Sequence, residues 1–115
     1  MATLRRDGSP RISGIEVQFS DSQLQVGSML GAVKAMDLRR DPRVAIHGPT
    51  HDSAKSGRWR GEAKVAGHAI EVPSEGDAHT FRIDIEEAVI TRVRNNRLVI
   101  ESWKPTRGRQ LTERS

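Results

Sequence analysis

The sequence predicts a mainly β domain, a small barrel or sandwich, interrupted by one short helix. Apolar and polar residues alternate in short runs, and turn residues part these runs at regular intervals. About seven strands fit the chain on that pattern. Only Gly27 to Val44 breaks it. There Ala32, Ala35, Met36 and Arg39 share one helical face, while Lys34, Asp37 and Asp41 lie on another. Pro42 stops the helix, because the residue before a proline is pushed out of the α region.

The strands follow in order. Met1 to Leu4 is apolar and runs into Asp7-Gly8, a hairpin signal. Pro10 to Phe19 reads as one strand with Ile15, Val17 and Phe19 inward, and Gly14 marks a bulge where Ile12 has the wrong parity. Asp21-Ser22 makes the next turn, and Gln23 to Gly27 presents Leu24 and Val26. Ser28 is placed to cap the helix. A helix of about ten residues with a modest apolar stripe does not stand alone in water, so the sheet must hold it. Arg43 to Gly48 follows with Val44 and Ile46 inward, then a polar loop at 48–57. Arg58 to Val72 is the longest strand. Its inward set is Trp59, Gly61, Ala63, Val65 and Gly67, small enough for a neighbouring backbone or a flat ligand to come close. Phe81, Ile83 and Ile85 alternate with charges, and Val89 to Val93 continues or restarts that strand. Asn95-Asn96 turns the chain into a last strand, Leu98 to Trp103. Residues 1–104 therefore read as one β domain and 105–115 as a basic tail.

Composition excludes several classes. The chain has 115 residues and no cysteine, so disulfide frameworks and thiolate metal sites are out. No apolar run approaches the roughly 20 residues that span a bilayer, and no basic-then-apolar signal opens the chain. The expectation is a cytoplasmic protein without a membrane partner. The net charge of +4 is concentrated late. From Arg92 onward seven basic residues face two acidic ones, while 1–91 hold 12 basic and 13 acidic. With no stacking aromatics among them, these charges argue against a nucleic-acid reader.

Candidate chemistry is sparse. His47 and His51 have helical metal spacing, but Gly48-Pro49 prevents a helix between them, so no metal site is expected. Glu86 and Glu87 are adjacent on a strand and point to opposite faces. No catalytic residue stands out. Gly27-Ser28 with Gly31 and Lys34 is neither a P-loop nor a dinucleotide fingerprint. A strand end, a hydroxyl, helix-start amides and a lysine can hold a single phosphate. From spacing alone Lys34 fits a solvated helical lysine better than a phosphate ligand.

A resemblance bears on that choice. Residues 2–14 and, more specifically, 31–44 resemble the opening hairpin and helix of pyridoxamine 5′-phosphate oxidase-like proteins. Residues 61–69 and 81–103 are similar to later strands of that family, so the likeness covers nearly the whole chain. The resemblance implies a split β-barrel of the FMN-binding type. It implies a homodimer with FMN, or alternatively a deazaflavin, at the interface, and oxidoreductase activity on a small molecule. Carried over by position, Lys34 and Arg11 reach the cofactor phosphate, Ile12 and Ser13 meet the ring, and Gly27 and Ser28 line the cofactor. Arg60 and Glu62 fall where the partner subunit contributes. Val33 stands where many members carry arginine. Two other classes stay open: a flavin carrier without turnover, and a basic nucleic-acid module.

Overall fold

In the computed structural model, which describes residues 1–48, 61–74 and 76–114, the chain forms antiparallel strands and one short helix. Nine strands lie among the described residues: β1 (Ala2–Leu4), β2 (Pro10–Ile12), β3 (Val17–Ser20), β4 (Gln23–Met29), β5 (Arg43–His47), β6 (Glu62–Val72), β7 (Ala78–Arg94), β8 (Arg97–Lys104) and β9 (Gly108–Arg114). The helix, α1, spans Val33–Arg40 between β4 and β5. The hydrogen-bonded order is β2-β1-β5-β6-β7-β4-β3, with β8 on β7 and β9 on β8. None of the described helices is long and apolar enough to cross a membrane. The expected loop at 49–57, with His51, and residues Trp59 and Arg60 lie outside the described residues.

The chain divides into two compact units. The first comprises Met1–Ala45 and Gly67–Ile85. Its core gathers Val26, Ala35, Leu38, Val44, Ala69, Phe81 and Ile83. Val26 pairs directly with Phe81 across β4 and β7, and both are 2% exposed. Burying each contributes about 1.5–3 kcal/mol. This cross-strand pair fixes the β4–β7 register, in which Gly27 faces Thr80 and Ser28 faces His79.

The second unit comprises Ile46–Ala66 and Glu86–Ser115. Here the latter part of β7, β8 and β9 form an antiparallel meander. Val99 is buried in it, and Arg92 and Arg109 both pair with Glu101. Gly61 takes φ +94, and a Cβ there would collide with the Thr91 carbonyl oxygen. Of the inward set expected around this strand, Gly61 admits a neighbouring backbone, whereas Ala63 is exposed.

Five expectations are corrected. Pro10 to Phe19 is two strands, β2 and β3, not one with a bulge. Val17 and Phe19 are exposed, because no described element covers the face they share on β3, which ends the strand path and pairs, among the described residues, with β4 alone. Ser28 does not cap the helix: it sits inside β4, and α1 starts from Ala32 with no side-chain cap. Residues 105–115 are not a tail, since Gly108 at φ +78 turns the chain and β9 pairs along β8 from Lys104↔Gly108 to Leu98↔Arg114. Asp37, expected on the polar face of the helix, is 2% exposed beside Leu38 and Ala35. It is buried because three partners satisfy its carboxylate.

Candidate functional site

The β4–β7 pairing shapes a cleft of about 490 Å³ inside the first unit. That volume lies within the ~300–1,000 Å³ usual for small-molecule sites. Gln25, Gly27, Ser28 and Met29 of β4 line it, with Gln18 of β3 and Thr80 of β7. Glu16 and Asp77 add acidic groups at its wall. Amides, hydroxyls and a bare glycine backbone suit a flat ring with donors and acceptors on its edge. The two carboxylates make the cleft itself unsuited to a phosphate.

Ser28 supplies the sharpest feature. Its Oγ is buried and has no hydrogen-bond partner among the described residues. A buried hydroxyl left without a partner costs about 1–3 kcal/mol. Ser28 is a lining residue of the cleft, so a rotation of its side chain would bring this hydroxyl to a polar atom of a ligand. Gly27 beside it is exposed, and a Cβ there would touch only the His79 carbonyl oxygen, at 3.9 Å.

The turn between β4 and α1 is tied down from the sheet. The Gly31 amide donates to His79 Nε2 at 3.1 Å. His79 also stands 3.3 Å from Arg39 Nη2 and 3.5 Å from Glu71 Oε2 through its Nδ1. Arg39 grips Glu71 with two hydrogen bonds of 2.7 and 2.8 Å. The Arg39 hydrogen bond holds the Glu71 carboxyl below the usual glutamate range. Just past this turn, Lys34 Nζ donates to the Gly14 carbonyl at 3.0 Å, next to Ser13. Ser13 in turn donates its amide to the Met1 carbonyl.

Six of the eight residues expected from the sequence lie in this unit. Gly27 and Ser28 share the cleft, and Lys34 reaches the Ser13–Gly14 segment. Ile12 is 87% exposed at the end of β2. Arg11 does not line the β4 cleft. Its Nε donates to Asp37 at 2.7 Å, and it borders a second cleft beside α1. Glu62 belongs to the second unit, where His47 Nε2 lies 3.2 Å from its carboxylate. Arg60 lies outside the described residues. Gln25 and Thr80 were not expected as lining residues. The turn at Asp21-Ser22 places Gln25 on β4, but only the β4–β7 register brings Thr80 opposite Gly27. Among the described residues no three His, Cys, Asp or Glu side chains gather to hold a metal ion.

No family model matches the chain. A solved structure does: a pyridoxamine 5′-phosphate oxidase-related, FMN-binding protein from Nostoc punctiforme. It aligns over 99% of this chain and 84% of its own, with a TM-score of 0.70 and 10% sequence identity. At that identity the likeness is one of fold. The chain thus has the mainly β, split-barrel fold seen in a pyridoxamine 5′-phosphate oxidase-related protein, with α1 inserted between β4 and β5.

Proposed function

We propose that the chain binds FMN, with the flavin ring against Gly27 and Ser28 and the phosphate at Lys34. The unpartnered Ser28 hydroxyl carries this reading, because Ser28 lines a cleft and the fold resembles that of the FMN-binding Nostoc protein. The polar edge of the ring would give Ser28 the hydrogen bond it lacks. Gln25 and Thr80 would orient the ring, and the bare backbone at Gly27 allows its close approach. Lys34, fixed by Gly14, would contribute the charge for the phosphate. Bound there, FMN would supply hydride or two-electron chemistry, and the protein would supply orientation and exclusion of water. The activity we assign is oxidoreduction of a small molecule, in the cytoplasm. No side chain is assigned as general acid or base.

The working form we propose is a homodimer. Ile12, Phe19, Met29 and Leu30 of the first unit are all largely exposed, with Phe19 at 72%. We take these side chains as part of the surface that a second copy would cover.

Titration of the purified full chain with FMN, and in parallel with a deazaflavin coenzyme, tests the assignment through visible absorption and fluorescence quenching. FMN is expected to saturate. Ser28→Ala should weaken it about five- to thirtyfold and Lys34→Ala about tenfold or more. Saturation by the deazaflavin alone would move the assignment to that cofactor. Binding of neither, or equal binding by Ser28→Ala, would overturn the placement.

A further inference from the structure

We propose that a second copy of this chain adds to the free edge of β9, strand to strand and antiparallel, about a two-fold axis at Leu111. The β7–β8–β9 meander of one copy then runs on into that of the other through a β9–β9 ladder.

The edge is open. Among the described residues β9 pairs with β8 alone. Its seven residues, Gly108–Arg114, keep an unbroken register with β8, so no bulge bends them away, and none of them is a proline. Such a strand presents a row of backbone amides and carbonyls on its outer side, which is a template for another strand.

The side chains decide which strand fits. Residues directly opposite each other in an antiparallel pair stand about 4.5–5.5 Å apart between Cβ atoms, and opposite charges there stabilise while like charges repel. When all seven residues of two β9 strands pair, Leu111 meets the partner's Leu111. Arg109 then meets the partner's Glu113, and Glu113 meets the partner's Arg109. Gln110 meets the partner's Thr112, and Gly108 leaves room for the partner's Arg114. No like charges oppose each other. A register centred on Gln110 or on Thr112 would set Leu111 against an arginine or a glutamate and lose the Arg109–Glu113 match. The strand is its own complement in the one register that uses its whole length.

The three side chains are available for this. Leu111 is 52% exposed, and its copy would take it out of water. Arg109 reaches Glu101 at 3.2 Å, but Arg92 also holds that carboxylate. Glu113 stands 3.4 Å from Arg97, both of them exposed. Exposed ion pairs like these contribute little, so exchanging them for contacts across the two-fold costs little. The interface is isologous, so the pair closes on itself.

This contact belongs to the second unit and uses none of Ile12, Phe19, Met29 and Leu30, so it stands or falls apart from the FMN assignment and its dimer.

The natural chain has no cysteine, so a single Leu111→Cys in the full chain gives an unambiguous test. With a short thiol-to-thiol cross-linker, Leu111→Cys should join two copies several-fold faster than Arg109→Cys or Thr112→Cys, because only residue 111 meets itself. In the Leu111→Cys background, Arg109→Glu or Glu113→Arg sets two like-charge pairs across the axis, and each should slow cross-linking about tenfold or more. An equal mixture of those two variants, and the Arg109→Glu/Glu113→Arg double variant, should recover the parent rate. Arg109→Gln and Glu113→Gln should give the same slowing in weaker form without reversing a charge beside β8. FMN titration of each variant should match the parent. Equal rates at positions 109, 111 and 112 would overturn the proposal, and so would charge reversals that leave the rate unchanged. Failure of the mixture to recover the rate, with both variants still binding FMN, would overturn it as well.

Discussion

The Gly31 amide donates to His79 Nε2 at 3.1 Å, so a side chain that is 6% exposed on β7 anchors the turn leading into α1. Because Nε2 accepts, the proton of the neutral ring lies on Nδ1, towards Glu71. Gly31 needs this anchor. It holds φ +73, and among the described residues the turn has one further clasp, the Ala32 amide to the Met29 carbonyl at 3.1 Å.

His79→Ala should therefore loosen the turn and lower stability by about 1–3 kcal/mol, the usual cost of a partly buried donor left unpaired. For a domain of this size each kcal/mol moves the melting temperature by roughly 4 °C or more. Calorimetry of the variant beside His79→Gln, which keeps an acceptor, checks this. Equal losses in the two would show that ring packing, not the bond to Gly31, sets the stability.

Asp37 predicts the acid behaviour. Burial pushes its carboxyl up, but hydrogen bonds from Arg11, Arg40 and Thr3 outweigh burial and hold it below the usual aspartate value. The unfolded chain then binds more protons than the folded one in the window between the two values, so stability rises with pH there. The contribution is complete above about pH 3.9 and is lost as the pH falls through the folded-state value. Asp37→Asn should flatten this part of the melting temperature–pH curve. At neutral pH it should cost about 2–4 kcal/mol, because Arg11 and Arg40 lose their shared anion. A parallel downward shift with the acid slope intact would place the acid sensitivity elsewhere.

Gly61 should not tolerate a side chain. Its φ of +94 disfavours any L residue, and an added Cβ would press on the Thr91 carbonyl and lie 3.2 Å from the Arg92 Cβ. Gly61→Ala should lose about 2–4 kcal/mol, read as a lower urea midpoint at constant slope. An unchanged midpoint would mean that β6 and β7 do not approach each other as described.

The turns were the most legible part of the sequence. Asp7-Gly8, Asp21-Ser22 and Asn95-Asn96 each carry a positive φ in the structure, a local preference that needs no distant partner. Parity was read less well. Val17 and Phe19 alternate properly, but alternation reports that a strand has two faces and not that something covers the apolar one. Asp37 was misplaced because its partners Thr3 and Arg11 stand 34 and 26 residues away, beyond any local pattern. β9 escaped notice since its exposed side chains are charged or polar apart from Leu111, and backbone pairing with β8 defines it. At the site, Gly27 and Ser28 could be found at a strand end. Thr80 required the β4–β7 register, and the missing partner of the Ser28 hydroxyl required packing.

The β7–β8 hairpin offers a stabilising change. Asn95 and Asn96 take φ +54 and +58, both left-handed as a type I′ turn requires, between the paired Arg94 and Arg97. Asparagine tolerates this region, but glycine enters it at no steric cost, and Asn-Gly is the sequence the turn favours most. Asn96→Gly should raise stability by about 0.5–1 kcal/mol, and Asn96→Ala should lower it by about 1 kcal/mol. The order Gly above Asn above Ala in urea midpoints is the expected outcome. If glycine proved the least stable of the three, its added freedom in the unfolded chain would outweigh the relief of strain, and the Asn96 side chain would have to be contributing a hydrogen bond of its own.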